Sequence, residues 1–483
     1  MSVSRRTFLQ TAAAAGMATA FACGRTTRRP NVVFILTDDQ RWDCLGVAGH
    51  PFLKTPNLDR IANEGVRFAN AFATHSLCSP SRASFLSGLY SHQHGVQNNF
   101  TEFPASVASY PKALQAAGYR TGYIGKWHMG EGNDEARPGF DYWASHKGQG
   151  QYNDTEFNVN GNRQVMKGYY AHTVTDLAKD FLKSNQRPFA LVVGHKAPHG
   201  LWMPEPKYAH AYDNVAITKP ATATLGPGTP DWVTRRVKTW HGIDGPLYGA
   251  KDYDTMVRTY LSTILSVDDS VGEITETLRA MGELDNTILV FAGDQGFLLG
   301  EHASIDKRTA WEESIRLPFL IRYPEVIKTP RVVSEMVLNM DLAPTVVDLC
   351  GVPGYPATPG RSLRPLMAGT TPAQPWRSSF LYEYNFESEF PYTPNVRAVR
   401  TDEWKYIHYP NGEGQPDTEL AELYHLKADP HETTNLINDA SSQPMLTSLK
   451  AELQKLLQET GAAPDRMPVN PQLRFELPSA AIR

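Results

Sequence analysis

Val32-Val33-Phe34-Ile35-Leu36 is an unbroken apolar run, and two residues later it meets Asp38-Asp39-Gln40. A short run of β-branched and aromatic residues reads as a strand buried on both faces, as in parallel sheets. Three later segments repeat the pattern. Residues 121–124 run into Lys126-Trp127-His128, residues 189–193 into His195-Lys196-Ala197-Pro198-His199, and residues 287–291 into Asp294-Gln295-Gly296. Helical patterns lie between them, at 58–64 closed by Gly65, from about Pro80, at 169–183, and over the long stretch 252–281. This alternation predicts an α/β fold, a large mixed and mostly parallel sheet sandwiched by helices.

The Pro/Gly-rich stretch 351–374 breaks both periodicities and marks a boundary. Beyond it, 397–407 suits an antiparallel hairpin and 445–457 an amphipathic helix, so a smaller C-terminal α+β subdomain is expected. The catalytic domain is placed at 30–365 and the C-terminal antiparallel-sheet subdomain at 375–483.

The 483 residues exceed what one compact core usually holds, which agrees with a large domain plus an appendage. A hydrophobic fraction of 41% with 20% charged residues excludes a disordered, fibrous or multi-spanning membrane class. The net charge of −4 provides no basic field, so no nucleic-acid partner is expected.

The N-terminus differs in kind. Ser4-Arg5-Arg6-Thr7-Phe8-Leu9 precedes a weakly apolar, alanine-rich run to Ala22, which reads as a twin-arginine export signal over residues 1–22. The expected partner is the twin-arginine export machinery, and the expected location periplasmic or extracellular. Ala20-Phe21-Ala22 fits a cleavage site, while Cys23 directly after it fits a lipid acceptor; both options stand. Cys44, Cys78 and Cys350 are too few for a disulfide framework and lack zinc spacing.

Ligands of open α/β sheets bind outside the carboxyl ends of the strands. If the four strands are neighbours, their polar clusters share one rim. Asp38, Asp39 and Asp294, with the amide oxygen of Gln295, are hard oxygen ligands suited to calcium or magnesium. Without a cation, three gathered carboxylates would repel one another. Arg82, Lys126, Lys307, His128 and His199 add positive or proton-carrying groups, which implies an anionic substrate with several oxygens. In Cys78-Ser79-Pro80-Ser81-Arg82, Pro80 suits the first turn of a helix and puts Cys78 at its N-terminus.

Cys78, Pro80 and Arg82, followed by Ser87-Gly88, resemble the signature of the type I sulfatases of the alkaline phosphatase superfamily, with Ser87 where that family has Thr. The resemblance extends through Gly125-Lys126-Trp127-His128, Ala197-Pro198-His199, Gly293-Asp294-Gln295-Gly296, Gly300-Glu301-His302, Asp306-Lys307-Arg308 and Glu422-Leu423-Tyr424. It implies an alkaline phosphatase-like fold and sulfuric ester hydrolysis. It also implies oxidation of Cys78 to formylglycine (3-oxoalanine) by a maturation enzyme, and one Ca2+ held by Asp38, Asp39, Asp294, Gln295 and the modified Cys78. Arg82, Lys126 and Lys307 would then stabilise the sulfuryl oxygens, His128 would act as base, and His199 with Lys307 would serve the leaving oxygen. Lys196-Ala197-Pro198-His199 with Trp202 resembles members acting on sulfated saccharides, including the N-acetylglucosamine-6-sulfatase group. Aromatic residues near Trp202 and over 382–392 are candidates for stacking on sugar rings, or else ordinary loop packing. The competing readings are a phosphonate or phosphate ester hydrolase on the same fold and a non-catalytic glycan-binding pseudoenzyme.

Overall fold

The computed structural model describes residues 28–184, 188–410 and 420–464. The expected signal at 1–22, Cys23 and the stretch 465–483 lie outside the described residues. A ten-stranded sheet forms the frame. Its centre runs Thr287–Gly293, Asn31–Thr37, Phe189–Gly194, Arg120–Gly125 and Tyr142–Ser145, all parallel. Each of the four strands read from sequence is present and extends one or two residues further.

Side-chain alternation along the strands builds two cores. Val32, Phe34 and Leu36 pack with Phe85 and Leu114, on the side covered by helices Cys78–Ser87, Tyr110–Ala116 and Leu342–Leu349. Val33 and Ile35 face the other way, among Leu58, Val174 and Val267 of helices Pro56–Asn63, Tyr170–Lys183 and Tyr253–Ala280. The sheet is thus sandwiched, as expected.

The edges depart from the parallel plan. Phe319–Arg322 pairs antiparallel to Thr287–Gly293 on one side, and a hairpin of Glu156–Val159 and Asn162–Val165 closes the other. All four residues of Asn162–Val165 are exposed, so no apolar alternation betrays that strand in the sequence. The 351–374 stretch, read as a boundary, carries the short helix Arg364–Ala368. Beyond it, Ser379–Tyr384, Val396–Thr401, Trp404–His408 and Ala421–His425 form a separate antiparallel sheet. Helix Gln443–Thr460 covers it with Leu446, Leu449, Leu453 and Leu457, spaced three and four apart on one stripe. Trp232 and Trp311 join this small core to the larger unit.

Candidate active site

Register places the polar clusters side by side. Leu36 pairs with both Gly194 and Ala292, and Gly125 with Gly194, so the chain leaves all four central strands at one level. The next residues continue the ladder: Lys126 N–H donates to Gly194 O, His195 N–H to Leu36 O, and Asp294 N–H to Thr37 O. Asp38, Lys126, His195 and Asp294 therefore share one rim.

Cys78 is delivered to that rim by a helix. Leu77 is extended and the helix spans Cys78–Ser87, with Pro80 in its first turn and Gly88 ending it at φ 78°. The Ser79 N–H, left without a partner inside the helix, donates to Asn99 Oδ1 at 3.1 Å. Cys78 Sγ lies 3.4 Å from Asp38 Oδ1 and 3.3 Å from Lys307 Nζ, at the positive end of the helix.

Around it runs a buried lattice of charge. Arg82 spans two carboxylates, with Nη2 2.9 Å from Asp38 Oδ2 and Nε 3.0 Å from Asp294 Oδ2, while Nη1 reaches the Lys126 carbonyl. Lys126 Nζ is 2.5 Å from Asp38 Oδ2. Lys307 Nζ is 2.6 Å from Asp39 Oδ1. Burial works to raise the Asp38 carboxyl, yet Lys126, Arg82 and Lys307 outweigh it and hold it well below the usual value. Asp294 goes the other way, pushed well above by burial and then by Asp38. Burial and then Asp38 push the Cys78 thiol up to about 12.

The donor set fits a hard divalent cation. Asp38, Asp39 and Asp294 each offer an oxygen within 4.8 Å of the others. Gln295 Oε1 is buried without a hydrogen-bond partner, an acceptor that a cation would satisfy. The three carboxylates are balanced by Arg82, Lys126 and Lys307, so a dication leaves the site positive and ready for an anion.

The histidines fall in different places. His128 Nε2 sits 2.7 Å from Glu131 Oε1 and 3.1 Å from Gln149 Nε2, and its buried Nδ1 has no partner. His199 Nε2 is 3.8 Å from Asp39 Oδ2. Burial lowers both well below the usual histidine value, helped by Lys126 at His128 and by Lys307 and Lys126 at His199, so both are neutral proton acceptors. His195 belongs to the rim by its backbone, while its side chain turns to helix Tyr253–Ala280, with Nε2 3.3 Å from Ser270 Oγ. Sequence reasoning missed Gln149, whose Oε1 accepts from Lys126 Nζ, and Glu131. Neither carries a periodic or motif signal.

Aromatic stacking is corrected at one candidate segment. Tyr382, Tyr384 and Tyr392 are buried in the small core or beneath it, and Trp202 packs against Tyr248, Tyr260 and Phe297. These rings are committed to protein packing and present no face to a sugar.

The model of the Sulfatase family matches residues 30–352, and one described as N-sulphoglucosamine sulphohydrolase, C-terminal, matches 300–459. The chain belongs to the sulfatase family. This sulfatase is 36% identical to the N-acetylglucosamine-6-O-sulfatase of Bacteroides thetaiotaomicron, over 90% of its own length and 86% of that protein. It is 31% identical to the human N-acetylglucosamine-6-sulfatase, over 86% of its own length and 82% of that one. Its fold matches a structure solved in complex with its substrate D-glucosamine-2-N,6-O-disulfate at TM-score 0.84 and 32% identity, covering 90% of this chain and 99% of that one. The sulfatase is a sulfuric ester hydrolase with the alkaline phosphatase-like architecture expected from its motifs.

Proposed function

We propose that this sulfatase removes sulfate from a sulfated amino sugar, using formylglycine made from Cys78 and a calcium ion held by Asp38, Asp39, Asp294 and Gln295. The observation that carries the reading is the position of Cys78, at a helix N-terminus and within 3.4 Å of both a carboxylate and a lysine of the charged rim. A thiol raised to about 12 stays protonated at neutral pH and makes a poor nucleophile there. The substrate class is supported by the relatives, two named for N-acetylglucosamine 6-sulfate esters and one bound to a glucosamine disulfate.

When present, the aldehyde hydrate supplies one hydroxyl for attack on sulfur and a second whose deprotonation releases sulfate, while calcium draws charge from the sulfuryl oxygens. The chain's own side chains do the rest. Arg82 fixes Asp38 and Asp294 so that their oxygens converge, and Lys126 and Lys307 place positive charge where the sulfuryl oxygens gather negative charge. His128, neutral and flanked by Glu131 and Gln149, would be the group to take up a proton as sulfate is released. His199 and Lys307 serve the departing sugar oxygen.

The test combines two measurements on one preparation. Mass spectrometry of the peptide holding residues 77–82 should show the aldehyde in place of the thiol. A panel of mono-sulfated glucosamines, bearing 6-O-, 3-O- or N-sulfate, should release free sulfate from the 6-O ester first. Full turnover by protein with an intact thiol would overturn the nucleophile, release from none of the panel would overturn the amino-sugar substrate, and release from the 3-O or N positions alone would overturn the 6-O position.

A further inference from the structure

Outside the catalytic rim, the loop after Gly300, the short helix Glu312–Ile315 and the C-terminal turn at Glu432 bring together a second ionisable cluster. His302, Glu313 and Glu432 are 7%, 3% and 2% exposed, and each offers one ligand atom within 4.8 Å of the others. Two of their atoms, His302 Nε2 and Glu313 Oε2, are buried with no hydrogen-bond partner. Buried polar atoms are rarely left bare in a folded protein, so something should satisfy them.

Existing cations do not reach all three. Lys405 Nζ bridges Glu312 and Glu432 at 2.8 Å each, and the second Glu432 oxygen accepts the Glu312 N–H. Among the described residues, the basic partner of Glu313 is the exposed His431, 3.9 Å from its other oxygen. A carboxylate oxygen with one donor keeps a further lone pair. Burial pushes the Glu432 carboxyl up to about 8, with Lys405 opposing and Glu312 and Glu313 adding to the rise.

We propose that His302, Glu313 and Glu432 form a second, structural site for a divalent transition metal of the zinc or manganese class. One imidazole with two carboxylates suits such an ion, whereas calcium prefers oxygen ligands throughout. A cavity of about 200 Å³ lined by His302, Trp311, Tyr424 and Glu432 leaves room for water ligands. The face of the His302 ring stacks on Trp311 at 4.1 Å, which holds the ring plane fixed. The ion would tie the turn that follows the C-terminal sheet to the loop that continues from His302 to Lys307. That loop carries non-glycine residues at positive φ, His302 at 50° and Ala303 at 51°, a conformation that the surrounding structure must hold in place.

The test uses zinc as probe and the full chain. In an Asp39→Ala background, which removes a ligand of the catalytic cluster, chelated protein dialysed against Zn2+ should retain about one equivalent. Adding Glu313→Gln or Glu432→Gln should abolish that retention and lower Tm. Zinc-soaked crystals of the unmutated protein should show anomalous density between His302, Glu313 and Glu432, a result independent of whether any variant folds. Anomalous density at the Asp38–Asp39–Asp294 cluster alone, or no zinc retained in the folded Asp39→Ala protein, would overturn the proposal and leave the sulfatase reading untouched.

Discussion

Lys307 Nζ lies 3.3 Å from Cys78 Sγ, although the two are separated by 229 residues of chain. The same ammonium holds both oxygens of Asp39, at 2.6 and 2.8 Å, so one cation touches both the proposed nucleophile position and a carboxylate proposed to bind the metal. Lys307→Met keeps the stem and deletes the charge. Losing one such electrostatic contact should lower kcat by about 10²- to 10³-fold. Steady-state kinetics, with a thermal melt to confirm folding, checks it; an unchanged kcat would remove Lys307 from the chemistry.

Arg82→Lys tests geometry rather than charge. The guanidinium reaches Asp38, Asp294 and the Lys126 carbonyl at once, which a single ammonium cannot do. Two buried carboxylates would lose their bridge. Breaking such a pair typically costs about 3–5 kcal/mol, so the variant should melt earlier as well as lose turnover. A variant with native Tm and impaired turnover would mean that Arg82 acts on substrate alone.

Much of this site is legible in the sequence, for a physical reason. Parallel strands begin and end in register, so Asp38, Lys126 and Asp294 had to share a rim once the four apolar runs were recognised as neighbours. Lys307 is different: it sits in an irregular loop that follows no strand end, so its charge type suggested it while only the family resemblance gave it a role. Gln149 and Glu131 also lie in loops, where no period reports which way a side chain points; their roles appear only from contact with Lys126 and His128. At residues 382–392 the sequence left sugar stacking and ordinary packing both open, because aromatic residues fill a small core as readily as they bind a sugar, and the buried Tyr382 and Tyr384 take the second. The exposed edge strand Asn162–Val165 gave no signal, since a strand paired on one side and wet on both faces has no apolar alternation.

Metal removal should abolish activity and lower stability together. Asp38, Asp39 and Asp294 repel one another once the cation leaves, and ligand linkage adds RT ln(1 + [L]/Kd) to the native state. Exhaustive chelation should therefore cut turnover to background and lower Tm, with calcium restoring both. Asp39→Asn should blunt the response to calcium. Full activity in protein shown metal-free by elemental analysis would refute the metal assignment.

Asp268 predicts a pH dependence far from the chemistry. Its carboxylate accepts the N–H groups of Asn57 and Leu58 at the start of helix Pro56–Asn63, and burial pushes it up to about 6 from the ordinary 3.8. A carboxyl with a raised folded-state pKa binds its proton more tightly when native. Its contribution is fully present below pH 3.8 and is lost as pH rises through about 6. Thermal melts across that window should show Asp268→Asn with a shallower fall in stability than the unmutated protein. Equal slopes would assign the fall to other groups.

Export and catalysis are linked through the burial of Cys78, which is 0% exposed in the folded chain. An oxidising enzyme cannot reach a side chain enclosed by the helix and the charged rim, so the aldehyde must form before folding. Twin-arginine export carries folded proteins, and Arg5-Arg6 followed by a weakly apolar stretch is the signal expected for that route. The order we propose is modification in the cytoplasm, folding around the finished site, and export. Replacing Arg5 and Arg6 by Lys should leave active, aldehyde-bearing sulfatase in the cytoplasm. Cell fractionation with activity assays and mass spectrometry of the residue 78 peptide reads both halves of the argument. Normal export of the double variant would discard the twin-arginine route, and cytoplasmic protein that is folded yet unmodified would discard the proposed order.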